Sequence, residues 1–171
     1  IVINGLDKEG SHFDQALAHV RSFFGERAFP LTVPVNAGPG FNRVLDVLRN
    51  EIITYHADAS GKYDEAPAAE EWKDEVETLH KQLIEYIAES DDTLLEKFFD
   101  QGSLSEEEMR SGIHTAVQKQ SFIPVFAASA ETNVGVARMM DFIAKYGSSP
   151  ADRAKVKATD GDDNEIELGL A

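Results

Sequence analysis

The chain has 171 residues, of which 31 are acidic and 16 basic, for a formal charge of −15 at pH 7, and 42% of it is hydrophobic. That length and apolar content can bury a real core as one domain or two small ones, while the lack of any cysteine excludes disulfides and thiolate metal sites. No apolar run approaches the ~20 residues of a membrane-spanning helix, and the charge is concentrated: residues 64 to 108 hold 16 acids against Lys73, Lys81 and Lys97, a surface that repels phosphate backbones and argues against direct nucleic-acid binding.

An apolar strand, Ile1-Val2-Ile3, opens the chain and runs into Asn4-Gly5-Leu6-Asp7. Ser11 is expected to cap a helix from His12 to about Phe24, with Asp14 in capping-box position and Gly25 at the exit. Phe13, Leu17, Val20 and Phe24 fall on one face, so this helix should pack on a sheet. Residues 29 to 35 read as a strand, and Pro30 and Pro34 put it at an edge. Strands are predicted over 41–48 and 51–55, followed by a polar loop through Pro67. A helix follows from Ala68 to about Glu89 with Trp72, Val76, Leu79, Leu83 and Ile87 as its apolar stripe. A shorter helix covers Asp92 to Phe99, and Ser105 with Glu108 forms a capping box that opens a third, to about Gln118. A second strand, Phe122-Ile123-Pro124-Val125-Phe126, ends in Ala127-Ala128-Ser129-Ala130. Val134 to Tyr146 is amphipathic, with Val136, Met139, Met140 and Ile143 predicted inward and Gly147 as the stop. The order of elements predicts an α/β fold with a parallel sheet, interrupted by an inserted α+β, mainly helical subdomain.

Two strand ends carry the chemistry. Asn4-x-x-Asp7 and Ser129-Ala130 each follow an apolar strand, where open α/β sheets bind ligands, and they resemble the N-K-x-D and S-A elements that form the guanine pocket in GTP-binding domains of the Ras-like class, which implies the following contacts. A carboxylate at Asp7 can accept both N–H donors of the guanine Watson–Crick edge, which adenine does not present. The Ala130 N–H can donate to the guanine carbonyl oxygen, where adenine carries an amino group. The wrong base would leave buried polar groups unpaired, the strongest form of small-molecule selectivity. A capping role for Asn4 and Asp7 accounts for the first motif alone equally well.

Longer stretches resolve that tie. Residues 38–48 (GPGFNRVLDVL), 88–98 (AESDDTLLEKF), 104–108 (LSEEE), 123–126 (IPVF) with Ala128-Ser129-Ala130, and Tyr146 with Ser148-Ser149-Pro150-Ala151-Asp152 resemble, in collinear order, the elongation factor G family of bacterial translational GTPases. The resemblance covers residues 1 to about 153. It implies that residues 1–34 and 121–153 form the C-terminal part of a GTP-binding domain. Residues 35–120 would then be its inserted subdomain, and 154–171 the start of a second, β-barrel domain. It implies a cytoplasmic, monomeric protein that uses GTP or GDP with Mg²⁺ and moves tRNA and mRNA through the ribosome. Asn4, Asp7, Ser129 and Ala130 would read the base, and the acidic helices of residues 67–119 would face the flexible stalk protein of the large ribosomal subunit.

Departures from the family pattern shape the expected activity. Gly5 stands where the family has Lys, whose stem lies over the guanine ring, so Gly5→Lys is expected to tighten nucleotide binding. No G-x-x-x-x-G-K-[ST] loop occurs, and without its N–H cradle and Lys the phosphates have no partner. The chain therefore reads as an excised piece without catalytic residues, inactive by itself although its parent is a GTPase. Asp58-Ala59-Ser60-Gly61 spells a switch-like D-x-x-G, but inside a polar loop, and reads as accidental. Other translational GTPases that share the insertion (a release or ribosome-protection factor), and a stand-alone acidic adaptor for a basic protein, are the alternatives. Asp160, Asp162 and Asn164 imitate a calcium loop, yet Glu165 replaces its glycine and Ala171 its last ligand. The five histidines (His12, His19, His56, His80, His114) lack metal-ligand spacing.

Overall fold

The computed structural model describes residues 1–152, 155–161 and 164–169. Its elements in chain order are β1 (Val2–Ile3), α1 (Phe13–Phe24), β2 (Ala28–Pro30), β3 (Thr32–Pro34), β4 (Arg43–Asp46), β5 (Glu51–Tyr55), β6 (Tyr63–Pro67), α2 (Glu70–Ala88), α3 (Asp92–Gln101), α4 (Glu106–Gln118), β7 (Ile123–Ala127), α5 (Val136–Tyr146), β8 (Lys155–Thr159) and β9 (Glu165–Gly169). The α/β class with a parallel sheet is as the sequence predicts. Asp162 and Ala171, two positions of the calcium-loop imitation, lie outside the described residues.

β7 is the middle strand of a parallel sheet ordered β1-β7-β2, with Val2 opposite Phe126 and Ile3 opposite Ala127. An antiparallel sheet ordered β3-β4-β5-β6 lies beside it. The stretch predicted as one strand over 29–35 serves both sheets. Its first half pairs parallel with β7 and its second half antiparallel with β4. The switch occurs at Leu31, whose N–H donates to Val125 O at 2.8 Å and whose carbonyl accepts from Val47 N at 3.0 Å. Each half lies at the edge of its own sheet, which is where Pro30 and Pro34 cost no ladder bond. Thr32 then ties the sheets together, its buried Oγ1 accepting the Ala127 N–H at 2.8 Å.

The predicted polar loop through Pro67 contains a strand, β6, that pairs with β5 from Tyr55–Tyr63 to Glu51–Pro67. Its acidic, proline-ended sequence hid it. Those same features suit an exposed edge that must not recruit another chain.

Residues 35–120 share their hydrophobic core with the parallel sheet. Phe41, Val44, Ile53 and Tyr55 pack with Ile3, Leu6, Phe13, Leu17, Val125 and Ala127 beneath α1. On the opposite side Leu83, Ile87, Ile113 and Ala116 pack with Phe29, Leu31, Phe122, Phe126, Phe142 and Tyr146. Burying the insertion's apolar stripes against the parallel sheet removes more surface from water than either part could alone. Only a small cluster around Leu45, Ile52 and Val76, with Trp72 half-buried at its side, belongs mainly to the insertion.

Two helix faces differ from the sequence reading. On α5, Met140 and Ile143 are exposed, while Arg138, Phe142 and Tyr146 are buried. Arg138, which is not among the residues predicted inward, points at the antiparallel sheet. There its guanidinium meets Asp46 Oδ2 through Nη2 at 3.0 Å and through Nε at 3.1 Å, and Glu65 Oε1 through Nη1 at 3.3 Å. On α1, Phe24 is exposed and the helix starts at Phe13 with no side-chain cap. Ser11 donates its hydroxyl to Leu6 O instead, at 3.1 Å. The α4 capping box between Ser105 and Glu108 forms as predicted.

Candidate guanine-reading site

The parallel pairing of β1 with β7 brings residues 4–8 and 129–133 together at one end of the sheet. Three hydrogen bonds hold the first loop. Leu6 N–H donates to Ala128 O at 3.3 Å, and Leu6 O accepts from Gly38 N at 2.7 Å as well as from Ser11. Leu6 itself is buried, in a turn closed by Lys8 N–H to Gly5 O at 3.1 Å. The second loop is clamped by a pair of bonds between Ser129 and Val134, N–H to O at 3.0 and 2.9 Å. Gly135 follows at φ +80°, where a Cβ would lie 2.3 Å from Ala127 O, so no larger residue fits.

Four predicted site residues converge. Asn4 Oδ1 accepts the Ala130 N–H at 2.9 Å, joining the two loops directly. That N–H is therefore engaged by Asn4, so a base carbonyl that uses it must share it or displace the Asn4 side chain. Ser129 is fully buried. The Asp7 side chain is only 11% exposed, and its Oδ1 is buried with no hydrogen-bond partner among the described residues. The Ser129 hydroxyl, followed by the Lys8 ammonium, holds the Asp7 pKa below the ordinary carboxylate value. An ionised, inward-facing carboxylate oxygen lacking a donor is an uncommon feature, because buried polar atoms are nearly always satisfied. It can take an N–H from a ligand.

Two residues that sequence reasoning missed stand at the mouth. Lys8 Nζ lies 3.0 Å from Asp7 Oδ2 and also contacts Glu131 Oε2 on the other loop. Lys8 was legible as a neighbour of Asp7, whereas nothing in the sequence marks Glu131. The D-x-x-G stretch forms the turn between β5 and β6, with Asp58 Oδ1 accepting the Ser60 N–H at 3.0 Å. It touches the site only through Asn133, whose side chain donates to Ala59 O at 3.2 Å.

No family model matches the chain. It is 32% identical over 168 residues to elongation factor G of Amoebophilus asiaticus (strain 5a2), an alignment covering 97% of this chain and 24% of that protein. It also superposes with a TM-score of 0.77 on a crystal structure of a Thermus thermophilus protein, at 27% identity, covering 90% of this chain and 22% of that one. The likeness to elongation factor G read from the sequence therefore extends over nearly the whole chain, which spans about a quarter of the length of that relative.

Proposed function

We propose that this chain is the base-reading part of a GTP-binding domain, together with the domain's insertion, in a protein that works as elongation factor G does. Residues 1–34 and 121–153 are the GTP-binding part, 35–120 the insertion and 154–171 the start of a further domain. The observation that carries the reading is the Asp7 carboxylate, with Oδ1 buried and unpartnered at the shared end of two parallel strands. Guanine N1–H and N2–H fit that carboxylate. Asn4 and Ala130, already joined, set the distance between the loops, and Ser129 supports Asp7 from behind.

The residues fit the base and stop there. Nothing in the sequence supplies a phosphate cradle, so the phosphates and Mg²⁺ of a bound GTP would be held by other parts of the parent protein, which would also carry hydrolysis. GTP-driven tRNA and mRNA movement on the ribosome, in the cytoplasm and as a monomer, is the parent activity this reading implies. The test is a ¹⁵N NMR titration of the chain with GMP and with AMP. Base contacts alone should give a Kd of about millimolar or weaker for GMP, with shifts at Asn4, Asp7 and Ala130 and no such shifts with AMP. Equal shifts with both nucleotides contradict base reading.

The exposed acids Glu70, Glu71, Asp74, Glu77 and Glu85 of α2 support a second interaction, with a basic face of the ribosomal stalk protein. Charges on such a surface chiefly speed encounter, and their effect fades with salt. Addition of the stalk protein's globular domain at low ionic strength should shift α2 resonances, and Glu70→Lys with Asp74→Lys should abolish the shifts. Unchanged spectra would leave this face as solvated surface.

A further inference from the structure

We infer that Lys8 is the side chain that covers the base in this site, with Glu131 as the anchor that holds its ammonium; this rests on the guanine reading above. Gly5 has φ +81°, a left-handed backbone that disfavours any side chain, and beyond its chain neighbours the nearest atom to the place of a Cβ there, among the described residues, is Lys8 Cγ, at 4.0 Å. Lys8 thus passes beside Gly5 and ends between Asp7 Oδ2, at 3.0 Å, and Glu131 on the opposite loop. Its side chain runs from the loop of residues 4–8 to Glu131 on the loop of residues 129–133.

The order of events on binding follows from counting acceptors. A guanine edge bonded to Asp7 uses both carboxylate oxygens, so the Lys8 ammonium must leave Oδ2. Glu131 retains it, and the stem stays between the two loops, beside Asp7, where it can lie against the purine. The Lys8 and Glu131 side chains are 58% and 72% exposed, and so open an ion pair adds little to stability and lets the strap move readily. The favourable term is apolar contact along the lysine stem, as long cationic side chains provide while keeping the charge in water.

Lys8→Ala should weaken GMP binding about threefold to tenfold, the effect of a few half-covered methylenes. Lys8→Met, which keeps the stem without the charge, should stay within about twofold of the parent chain. Glu131→Gln should weaken binding modestly, because the ammonium then falls back on Asp7. Gly5→Lys should not tighten it, since the backbone there is strained for a side chain. Kd values come from NMR titration of each variant with GMP, AMP serving as the control for phosphate charge and unshifted core resonances as the control for folding. If the unmodified chain prefers GMP to AMP but Lys8→Ala binds as well as it does, or Lys8→Met binds as poorly as Lys8→Ala, the covering role is overturned while base reading stands. If Glu131→Gln binds as the parent chain does, the anchoring role falls. If the unmodified chain shows no preference for GMP, base reading itself is overturned and the strap with it.

Discussion

Removing the Arg138 guanidinium should damage this fold more than removing any surface charge. Its side chain is 5% exposed and Asp46, its main partner, 11%, whereas Glu65 beside it is 39% exposed and can rehydrate. In Arg138→Met the Asp46 carboxylate is stranded, and the buried Glu51 Oε2, which faces the guanidinium at 3.8 Å, loses its nearest cation. Breaking a buried pair from one side costs about 3–5 kcal/mol. Asp46 Oδ1 also accepts the N–H groups of Leu48 and Arg49 at 3.0 and 3.1 Å, which an asparagine oxygen can still do. Arg138→Met with Asp46→Asn should thus recover most of the loss, leaving about 1 kcal/mol for the guanidinium no longer held over the Tyr63 ring. Burial already raises the Asp46 pKa against the pull of Arg138. An acid raised in the folded state adds stability that is fully present below its unfolded pKa and lost as pH rises through the folded one. The difference between Arg138→Met and the parent chain should accordingly be largest at neutral pH and shrink towards pH 3.8, the ordinary value for Asp46. Urea denaturation across that range measures it. A single variant that loses under about 1 kcal/mol, or a double variant as unstable as the single, would refute the claim that this ion pair couples α5 to the inserted sheet.

Three further outcomes follow from local geometry. Glu108 caps α4 and pairs with Lys97, which with the Ser105 N–H and hydroxyl lowers its pKa from 4.5 to about 2. The stability this gives is present above pH 4.5 and lost as pH falls through about 2; carboxyl ¹³C titration should find that low midpoint, and one near 4.5 would contradict the cap. Gly112 sits in α4 where a Cβ would lie 2.4 Å from Ile87 Cγ2 and 2.9 Å from Leu94 Cδ1. Gly112→Ala should therefore destabilise by about 1–3 kcal/mol, overpacking exceeding the gain in helix propensity, and a stabilised variant in urea denaturation would show the α2–α4 contact to be looser than described. Gly135→Ala should disturb the 129–134 loop, since its Cβ would meet Ala127 O at 2.3 Å; amide shifts at Ser129 and Ala130 would register this, and an unchanged spectrum would refute the close approach.

The regular elements were legible because their signals are local. Capping at Ser105, the stripe from Trp72 to Ile87 and the apolar strand over 122–126 each depend on a few neighbouring residues. What was illegible depends on partners distant in sequence. Arg138 lies off the face of Val136, Met139, Met140 and Ile143 that the sequence turns inward, and only Asp46 beside it makes it a buried residue. β6 carries the acidic composition of a loop, and only pairing with β5 makes it a strand. The stretch over 29–35 reads as one strand, although its hydrogen bonds go to two different sheets. At the site, Asn4, Asp7, Ser129 and Ala130 are proposed from their places at strand ends together with the family resemblance, and the pairing of β1 with β7 brings their loops to one end of the sheet. That Asn4 occupies the Ala130 N–H, and that Lys8 reaches Glu131, are properties of two loops joined in space.

The most direct measurement exchanges the base preference by one atom pair. Xanthine presents an N–H and a carbonyl where guanine presents two N–H groups, and an asparagine side chain offers one acceptor and one donor to match. The parent chain should bind GMP more tightly than XMP, and Asp7→Asn should reverse that order, with shifts at Asn4 and Ala130 in both cases. If Asp7→Asn leaves the order of the two nucleotides unchanged, Asp7 does not read the base.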